Sequence, residues 1–230
     1  LGDIDFRESD ILDPEALQKA LEGVDYVLHQ AAIPSVTRSM ENPLRSNEAN
    51  VTGTLSLLVA ARDAGVKRVV CASSSSVYGD AVGLPKAVEM RPAPLSPYAV
   101  SKHVGELYGA VFSRSFGLDV VSLRYFNVFG PRQDPTSPYS AVIPKFICAM
   151  LRGEAPTIYG DGTQSRDFCF VSNVVRANLL ACEAQGVAGR VFNVACGTRI
   201  SLLELVEKLN ALLATSGIKW EDKANAGKSR

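Results

Sequence analysis

Tyr98 and Lys102 are the two side chains whose types and spacing best suit proton transfer. They are four residues apart, and residues at i and i+4 share one face of a helix. A cation close to a phenol favours the phenolate and lowers the pKa of the tyrosine. The pair is therefore a candidate acid/base device for neutral pH. A packed ring beside a solvated lysine is the commoner outcome of this spacing, so the rest of the chain must decide.

A helix has to begin just before this pair if the two side chains are to share a face. Ser96 suits the N-cap, because its hydroxyl can accept a free backbone N–H, and Pro97 suits the first helical position. Gly117 follows an apolar stretch and favours a helix end there. We therefore expect a helix from Ser96 to about Phe116.

Short, mostly apolar stretches alternate with helical patterns along the first half of the chain. The stretches predict buried parallel strands at 24–32, 67–73 and 119–126, and helical patterns occur at 8–22, 44–64 and 96–116. This alternation indicates βαβ units with right-handed crossovers. The predicted fold class is α/β, with a Rossmann-like, doubly wound parallel sheet.

Polar groups follow each of the three predicted strands. They are Gln30-Ala31-Ala32, Ser73-Ser74-Ser75-Ser76 and Phe126-Asn127. Ligands of such sheets bind at the carboxyl ends of the strands, so the three groups are expected along one crevice. Serines are also common in strand-to-loop turns, and that reading competes with a functional one.

Beyond residue 127 the pattern changes to shorter elements. We expect helices at 139–153 and 172–185, strands at 157–159 and 190–195, and a capping box from Ser201 to Glu204 with Ile200 packing onto Leu205. The predicted domains are 1–126 and 127–230, the second a smaller α+β region. Segments around 169–195 are expected to pack on the sheet of the first domain.

Composition argues against several functional classes. The 24 basic and 24 acidic residues cancel, and no run of like charges occurs, so binding to nucleic acid or a membrane surface is unsupported. No apolar run has the length of a membrane-spanning helix. Five scattered cysteines and two separate histidines predict core thiols in a reducing compartment, hence a cytoplasmic location, and no metal site.

Several longer motifs share one resemblance. They are Tyr98-x-x-x-Lys102, Ser73-Ser74-Ser75-Ser76-Val77-Tyr78-Gly79, Gln30-Ala31-Ala32, Arg124-Tyr125-Phe126-Asn127-Val128-Phe129-Gly130, and Gly160-Asp161-Gly162 through Arg166-Asp167-Phe168. Together they resemble the extended short-chain dehydrogenase/reductase family, and within it the nucleotide-sugar 4-epimerases acting on UDP-glucose/galactose or their N-acetyl forms. The likeness covers essentially the whole chain. The roles of the two predicted domains, NAD binding for 1–126 and mainly substrate binding for 127–230, are implied only by this resemblance.

The resemblance implies NAD-dependent epimerisation at C4 through a 4-keto sugar. Tyr98 is then the acid/base for the sugar 4-hydroxyl, and Lys102 holds the nicotinamide ribose and lowers the pKa of Tyr98. Ser74 hydrogen-bonds the 4-oxygen, and Ser76 is a further candidate for that role.

The resemblance also implies two sets of binding residues. Those toward NAD are Asp10, Ile11, Gln30, Ala31, Ala32, Asn50, Ser73, Tyr98, Lys102, Tyr125 and Phe126. Those toward the UDP-sugar are Ser75, Ser76, Asn127, Val142, Tyr159 and Arg166. Arg166 makes physical sense in this set, because a guanidinium suits a diphosphate. Relatives also imply a homodimer through helices near 44–64 and 97–116.

The sequence departs from the family pattern in three ways. No glycine-rich G-x-x-G-x-x-G loop occurs, and the chain opens at Leu1, so a first βαβ unit is expected upstream. The segment that completes the nucleotide pocket is expected beyond Arg230. Ser75 and Ser76 stand where related 4,6-dehydratases carry an Asp-Glu pair, and Ser76 also argues against a decarboxylase.

Other activities remain open at this point. A UDP-glucuronate 4-epimerase, a UDP-glucuronate decarboxylase and a reductase that releases NAD(P)H are the alternatives among enzymes. A non-catalytic NAD(P)-binding member of the same fold is an alternative of a different class.

Overall fold

The computed structural model describes residues 4–136 and 141–215. They form two compact units, one made of 4–126 and 172–194 and the other of 127–136, 141–171 and 195–215. Residues 139 and 140 of the expected 139–153 helix, and the end of the expected second domain, lie outside the described residues.

The regular elements are numbered in chain order. The strands are β1 (Tyr26–His29), β2 (Arg68–Ser74), β3 (Asp119–Tyr125), β4 (Asn127–Phe129), β5 (Ser165–Arg166), β6 (Phe168–Phe170), β7 (Val191–Val194) and β8 (Ile200–Ser201). The helices are α1 (Pro14–Leu21), α2 (Val36–Glu41), α3 (Pro43–Asn47), α4 (Gly53–Asp63), α5 (Pro97–Ser115), α6 (Val142–Leu151), α7 (Val171–Glu183) and α8 (Leu202–Thr215).

The first unit is built on a parallel sheet with the order β1-β2-β3-β7. This confirms the predicted α/β class and the predicted strands near 67–73, 119–126 and 190–195. Ser74 is paired with Tyr125 in the register of β2 and β3, so the two strands end at the same level. Their carboxyl ends therefore present side chains together, as the fold argument requires.

The parallel strand predicted within 24–32 is present as β1, but the prediction that it is buried is wrong. The strand is short, and Tyr26 and Leu28 are each 45% exposed. β1 lies at the edge of the sheet and pairs with β2 alone among the described strands. One face of an edge strand stays open where no described element packs over it, and Tyr26 and Leu28 lie on that face.

Capping residues start the helices where the sequence predicts them. Asp13 accepts backbone N–H bonds from Glu15 and Ala16 at the start of α1. The Ser96 hydroxyl accepts the backbone N–H of Ala99 at 3.1 Å, and Pro97 is the first residue of α5. The expected 44–64 helix is present as α3, a π-helical turn (Glu48–Thr52) and α4, which follow one another directly.

An apolar core joins α1, α4 and α5 to the sheet. Its buried members are Leu17, Leu21, Leu57, Leu58, Ala61, Val66, Val69, Cys71, Phe112, Leu118 and Val120. Val70 and Val121 alternate with these strand residues and are fully buried, so the other face of the sheet is covered too. The sheet thus has helices or loops on both faces and gives its strand ends a rigid support.

Arg68, at the start of β2, attaches a sequence-distant segment to this unit. Its guanidinium Nη1 donates to the backbone carbonyls of Ala181, Cys182 and Ala184 at 2.7–2.9 Å, at the end of α7. Its Nη2 donates to Asp119 at 3.1 Å. A cation at the carboxyl end of a helix satisfies carbonyls that have no partner within the helix.

The second unit contains two small sheets and two helices. β4 pairs with β6 in parallel, and β5 pairs with β8 in the antiparallel direction. Apolar residues of α6 and α8 form its core, namely Ile143, Phe146, Met150, Leu202, Leu205 and Leu209. The capping box is confirmed, because Ser201 N donates to the Glu204 carboxylate at 2.7 Å and Glu204 N donates to the Ser201 hydroxyl at 3.2 Å. Ile200 packs on the same core.

The predicted strand at 157–159 is absent, because these residues have no regular structure. Ile158 packs on the core of the second unit. The carbonyl of Tyr159 accepts a hydrogen bond from the Gln164 side chain at 2.7 Å instead of from a neighbouring strand. The apolar pattern at 157–159 therefore reflects packing of Ile158 on the core and not a strand.

None of the helices in the described part of the chain is both long and apolar enough to cross a lipid bilayer.

Candidate active site

Tyr98 and Lys102 lie in the first two turns of α5 and share one helix face. The Lys102 ammonium nitrogen is 5.8 Å from the centre of the Tyr98 ring. The same nitrogen donates to the backbone carbonyl of Ala72 at 2.8 Å, which attaches α5 to β2. Both side chains are half-buried. The i, i+4 spacing thus brings the phenol and the ammonium together as the sequence predicts.

Ser74 joins this pair from the end of β2, through a hydrogen bond with the Tyr98 side chain. The Ser74 hydroxyl oxygen also accepts the backbone N–H of Ser76 at 3.2 Å and the hydroxyl of Ser76 at 2.9 Å. A hydroxyl has two acceptor positions and one proton to donate. The Ser74 hydroxyl is therefore held by Ser76 on one side and is in contact with the Tyr98 phenol on the other. Ser75 is half-buried in the same turn.

Burial controls the ionisation of the pair more than the two charges do. Burial raises the pKa of Tyr98, and the hydrogen bond from Ser74 opposes this only in part. Burial also lowers the pKa of Lys102 to about 8. The role that the resemblance gives to Lys102, lowering the pKa of Tyr98, therefore stays a prediction. The phenol keeps its proton at neutral pH, because burial disfavours the charged phenolate more than the contact with Ser74 favours it.

A cleft of about 1220 Å³ lies beside the carboxyl end of β1. It brings together four residues predicted to bind a cofactor, namely Asp10, Ile11, Ala31 and Ala32. The remaining lining residues are Glu8, Ser9, Leu12, Ile33, Leu44, Arg45, Asn47, Glu48, Ala49 and Thr52. The Asp10 carboxylate accepts the backbone N–H of Leu12 at 3.0 Å, which holds its turn in shape.

Gln30 and Tyr125 meet at the ends of β1 and β3, joined by Asn178 of α7. The Gln30 amide nitrogen donates to the Tyr125 hydroxyl at 3.0 Å and to the Asn178 side-chain oxygen at 3.2 Å. Asn178 Nδ2 lies 2.8 Å from the Tyr125 oxygen and 2.8 Å from the carbonyl of Val174. Sequence reasoning missed Asn178. The available signal was its spacing: Asn178 follows the buried Val174 by one helical turn, which places a polar side chain on the buried face of α7.

Asn50 and Ser73, both predicted to contact a cofactor, use their polar atoms inside the protein. Asn50 is 3% exposed, and its side-chain oxygen accepts the backbone N–H of Ile33 at 2.7 Å. Its side-chain nitrogen donates to the backbone carbonyl of Ile33 and to the Ser101 hydroxyl, both at 3.1 Å. The Ser73 hydroxyl donates to the Glu106 carboxylate at 2.5 Å. Asn50 thus holds the loop at Ile33, and Ser73 holds the end of β2 against α5.

Phe126, which the resemblance places beside the nicotinamide, directly follows β3. Its backbone N–H donates to the carbonyl of Val194 at 3.1 Å, and its half-buried ring lies 6.4 Å from the Tyr78 ring. The ring is therefore held at the carboxyl end of the sheet.

A buried ion pair between Glu106 and Arg124 lies behind the site. Arg124 Nε and Nη2 each donate to one Glu106 carboxylate oxygen at 2.8 Å, and both side chains are only 4% exposed. His103 Nδ1 lies 3.2 Å from the same carboxylate. Burial alone would raise the pKa of Glu106, but hydrogen bonds from Arg124, Ser73 and His103 outweigh it and hold the pKa below its usual value.

Sequence reasoning missed this ion pair as well. Two signals were present in the sequence: Glu106 follows Lys102 at the helical spacing, and Arg124 interrupts an otherwise apolar strand. A charge in a buried strand requires a partner, because an unpaired buried charge is very costly.

The second unit holds the four remaining predicted substrate residues, and two of them share a cavity. Val142 and Tyr159 line a cavity of about 470 Å³ together with Lys145, Phe146 and Gln164. The other lining residues are Ala149, Arg152, Glu154, Ala155, Thr157 and Leu202.

Asn127 and Arg166 do not line that cavity. The Asn127 amide donates to the carbonyl of Asp167 at 3.0 Å, and Arg166 is exposed, with Nη1 donating to the carbonyl of Ser165. Asp167, which the sequence analysis did not single out, accepts the backbone N–H groups of Cys196 and Gly197 at 2.9 and 2.8 Å.

No cluster of three or more His, Cys, Asp or Glu side chains suited to a metal occurs among residues 4–136 and 141–215.

The donor set of the first unit fits the nucleoside parts of a dinucleotide. The Asp10 carboxylate in the cleft suits hydroxyl or amino hydrogens, and the small side chains of Ala31 and Ala32 leave the backbone open to a planar ring. The Lys102 ammonium has three N–H donors, of which the carbonyl of Ala72 takes one. No glycine-rich pyrophosphate loop is present in the 230 residues.

Known structures are similar to both the sequence and the fold. A UDP-N-acetylglucosamine 4-epimerase from Methanobrevibacter ruminantium M1, solved with UDP-N-acetylmuramic acid, is 46% identical with a TM-score of 0.87, covering 90% of this chain and 66% of that one. The UDP-glucose 4-epimerase of Thermotoga maritima with UDP-glucose is 37% identical with a TM-score of 0.86, covering 97% and 74%.

A third structure is the UDP-glucuronic acid 4-epimerase of Bacillus cereus with UDP-glucuronic acid and NAD. It is 35% identical with a TM-score of 0.81, covering 90% of this chain and 64% of that one. The chain thus spans 64–74% of the length of these three proteins. The model of the NAD dependent epimerase/dehydratase family matches residues 1–195. With a match over most of its length and relatives well above 30% identity, the chain belongs to the NAD-dependent epimerase/dehydratase family.

Proposed function

We propose that this chain carries the catalytic core of an NAD-dependent enzyme that epimerises a UDP-sugar at C4, with UDP-glucose/galactose or UDP-GlcNAc/GalNAc as substrates. The observation that carries the proposal is the contact of Tyr98 with Ser74 beside the Lys102 ammonium, at the carboxyl end of a parallel sheet. Named 4-epimerases among the relatives support the same reaction.

Tyr98 is the group that moves the proton. With NAD and substrate bound it acts as the phenolate, which removes the proton of the sugar 4-hydroxyl in the first half-reaction; the resulting phenol returns that proton in the second. Bound NAD supplies the hydride acceptor and donor for the two half-reactions. Between them, the 4-keto sugar has to present its opposite face, so the site must hold the nucleotide firmly and the sugar ring loosely.

Ser74 and Lys102 prepare this proton transfer. The Ser74 hydroxyl, in contact with the Tyr98 phenol, can donate its proton to the 4-oxygen of the sugar and stabilise the charge that develops there. Ser76 fixes the Ser74 hydroxyl by donating to it. Lys102 offers two N–H groups to ribose hydroxyls while Ala72 holds its ammonium in place. Its charge favours the phenolate once the site is closed to water.

The second unit is proposed to bind the UDP part of the substrate. Its 470 Å³ cavity offers the Tyr159 ring and the Val142 side chain to a planar base. Arg166, as an exposed guanidinium, suits the diphosphate, and Asn127 offers amide groups to the same part.

A UDP-glucuronate 4-epimerase is the second candidate. The observation in its favour is the similarity to the Bacillus cereus UDP-glucuronic acid 4-epimerase. The reaction at C4 is the same, so the two candidates differ in the sugar substituents away from C4: UDP-glucuronate carries a carboxylate on C5 where the other sugars carry a hydroxymethyl group, and the N-acetyl sugars also differ at C2. A dehydratase or decarboxylase is less well supported, because serines occupy positions 75 and 76.

We also propose a homodimer. Three apolar side chains of α5 are exposed in the single chain, namely Val100 at 45%, Leu107 at 54% and Val111 at 47%. A second copy of the chain would cover them. The full-length protein should therefore sediment as a dimer at micromolar concentration, and a monomer there would contradict the proposal.

A cytoplasmic location is proposed as well, because Cys71 and Cys148 are thiols outside any disulfide and Cys71 is buried. Such thiols suit a reducing compartment.

The function is tested by incubating the full-length protein with UDP-glucose, UDP-GlcNAc or UDP-glucuronate, without added NAD, and by following the products by NMR. Formation of a 4-epimer without net NADH is the expected result. The preferred substrate distinguishes the two candidates. Carbon dioxide from UDP-glucuronate without any 4-epimer would favour a decarboxylase, and no reaction with any of the three would contradict the proposal.

A further inference from the structure

Three consecutive residues at the end of β2 each contact one residue on a single face of α5. The pairs are Ala72 with Lys102, Ser73 with Glu106, and Ser74 with Tyr98. The three α5 residues are spaced by four, so they lie in a row along the helix. The proposed mechanism uses two of these pairs and leaves the third, Ser73 with Glu106, without a role.

Glu106 has all of its hydrogen-bonding capacity engaged. One carboxylate oxygen accepts from the Ser73 hydroxyl at 2.5 Å and from Arg124 Nε at 2.8 Å. The other accepts from Arg124 Nη2 at 2.8 Å and lies 3.2 Å from His103. A buried carboxylate with this many partners has a single favoured position, because any displacement breaks charge-assisted bonds.

Arg124 extends this fixed position to the chain that follows Ser74. Its guanidinium lies 4.7 Å above the Tyr78 ring, and Tyr78 is 1% exposed. The Tyr78 hydroxyl donates to the Asn193 side chain at 2.6 Å, and Asn193 donates to the carbonyl of Lys86 at 2.8 Å. The turn that carries Ser74 is therefore attached on both sides, through Ser73 before it and Tyr78 after it.

We propose that Glu106 is a positioning residue for proton transfer, which sets the separation between the Tyr98 phenol and the Ser74 hydroxyl. This inference rests on the proposed 4-epimerase function. Glu106 belongs to the helix that carries Tyr98, and through Ser73 and Arg124 it holds the strand end that carries Ser74.

The geometry explains why a second attachment is needed. The hydrogen bond from Lys102 to Ala72 attaches α5 to β2 at one place near the site, and the apolar contacts of Phe112 lie further along the helix. Glu106 and Ser73 fix a second point about one turn further along the helix. A second hydrogen-bonded place near the site narrows the movement of Tyr98 relative to Ser74, and a misplacement of about 1 Å between reacting groups is enough to slow a reaction about a hundredfold.

The test is a double-mutant cycle between Glu106→Gln and Tyr98→Phe in the full-length protein. Gln keeps the shape of Glu106 but presents an N–H group where Arg124 needs an acceptor. Glu106→Gln alone should lower turnover per mole of bound NAD about tenfold to a hundredfold, with the KM for UDP-sugar within about threefold of wild type. In the Tyr98→Phe background it should lower the residual turnover by less than about threefold.

This cycle separates positioning from a structural role. Glu106→Gln lowering turnover by the same factor in both backgrounds, or leaving it at the wild-type level, would overturn the inference. If Glu106→Gln does not retain NAD or fold, Ser73→Ala replaces it, since that change removes one hydrogen bond and no charge. Ser73→Ala should likewise lower turnover when Tyr98 is present and lower it by less than about threefold in the Tyr98→Phe background.

Phe112→Leu is the matched control. It weakens packing on the same helix without touching the Glu106 contacts, so it should leave turnover per bound NAD unchanged. Wild-type protein is assayed first. A wild type that epimerises none of the three UDP-sugars contradicts the proposed function, whereas an active wild type with an additive cycle contradicts this inference alone.

Discussion

The two halves of α5 face the same sheet with opposite chemistry. The first half turns Tyr98, Lys102 and Glu106 toward the strand ends, and each is held by hydrogen bonds. The second half turns Gly109 and Phe112 toward the core. Phe112 is 3% exposed among apolar neighbours, and a Cβ on Gly109 would come within 2.9 Å of the Val120 side chain.

This difference shows how one helix combines stability with chemistry. The apolar half holds the helix close to the sheet by van der Waals contact, which tolerates no gap and no extra methyl group. The polar half adds hydrogen bonds, whose length and angle fix direction as well as distance. Changes at Tyr98 should therefore affect turnover more than stability, and changes at Phe112 should do the reverse.

Tyr98→Phe should give the largest effect. Removing the phenol oxygen should lower turnover about 10³- to 10⁴-fold, or about 4 to 5 kcal/mol of transition-state stabilisation, because no other group at that place can move the proton. The free energy of unfolding should stay within about 0.5 kcal/mol of wild type. Turnover is followed by NMR of the sugar 4-epimers and stability by urea unfolding. Near wild-type turnover would remove Tyr98 from its proposed role.

Phe112→Ala should give the largest effect on stability. It removes a buried ring from the core and should lower the free energy of unfolding by about 4 kcal/mol. Turnover per folded molecule should not change at temperatures where the variant is folded. Ser115→Ala, at an exposed position of the same helix, is the control and should change stability by less than about 0.5 kcal/mol. A selective loss of turnover in Phe112→Ala would break the division between the two halves.

The pKa of His29 reports how strongly water is excluded from the region around Lys102. His29 is 7% exposed, its Nε2 is 2.9 Å from the Thr54 hydroxyl, and burial, with a smaller effect of Lys102, lowers its pKa to about 4. The folded protein then binds this proton more weakly than the unfolded chain, so stability is lost as the pH falls from about 6.5 to 4.

His29→Gln should remove that part of the acid sensitivity. Between pH 7 and 4, wild type should lose about 3 kcal/mol more unfolding free energy than the variant, the equivalent of its lowered pKa. Urea unfolding at pH 7, 5.5 and 4 measures the difference, and the carboxylates of the protein contribute equally to both. If the free energy of unfolding changed equally with pH in the two proteins, His29 would be exposed to solvent, which would contradict the lowered pKa.

Ser96→Ala should give the smallest effect. It removes the hydroxyl that accepts the backbone N–H of Ala99 at the start of α5 and should cost about 1 kcal/mol of stability. Because the cap lies two residues before Tyr98, turnover should also fall, by about twofold to fivefold in line with a loosened first turn. Ser115→Ala at the other end of the helix is again the control. A stability loss with unchanged turnover would show that the first turn does not depend on its cap.

Local sequence signals predicted the elements, since caps and apolar periodicity act within a few residues. Ser96, Pro97 and the strand patterns of β2 and β3 are examples, and the three polar groups at the strand ends followed from them. The exposed face of β1 was not predicted, because burial depends on which elements pack over a strand. The strand at 157–159 was predicted wrongly, because a strand requires a partner that local pattern does not reveal.

The electrostatic properties of the site were harder to predict for a related reason. The Glu106–Arg124 ion pair and the Gln30–Tyr125–Asn178 cluster join residues that are far apart in sequence, so no spacing encodes them. The pKa values of Tyr98 and Lys102 depend on how much water reaches them. Spacing identified the pair, but not the protonation state that burial imposes on it.

The contact of Arg68 with the end of α7 has a consequence for the order in which the chain folds during synthesis. The carbonyls that Arg68 binds, and β7 beyond them, leave the ribosome only after residues 127–171 have been made. Until then the fourth strand of the sheet is missing and the Arg68 guanidinium lacks its carbonyl partners. The first unit therefore completes its folding late, after a long loop has closed, although most of its sequence is synthesised first.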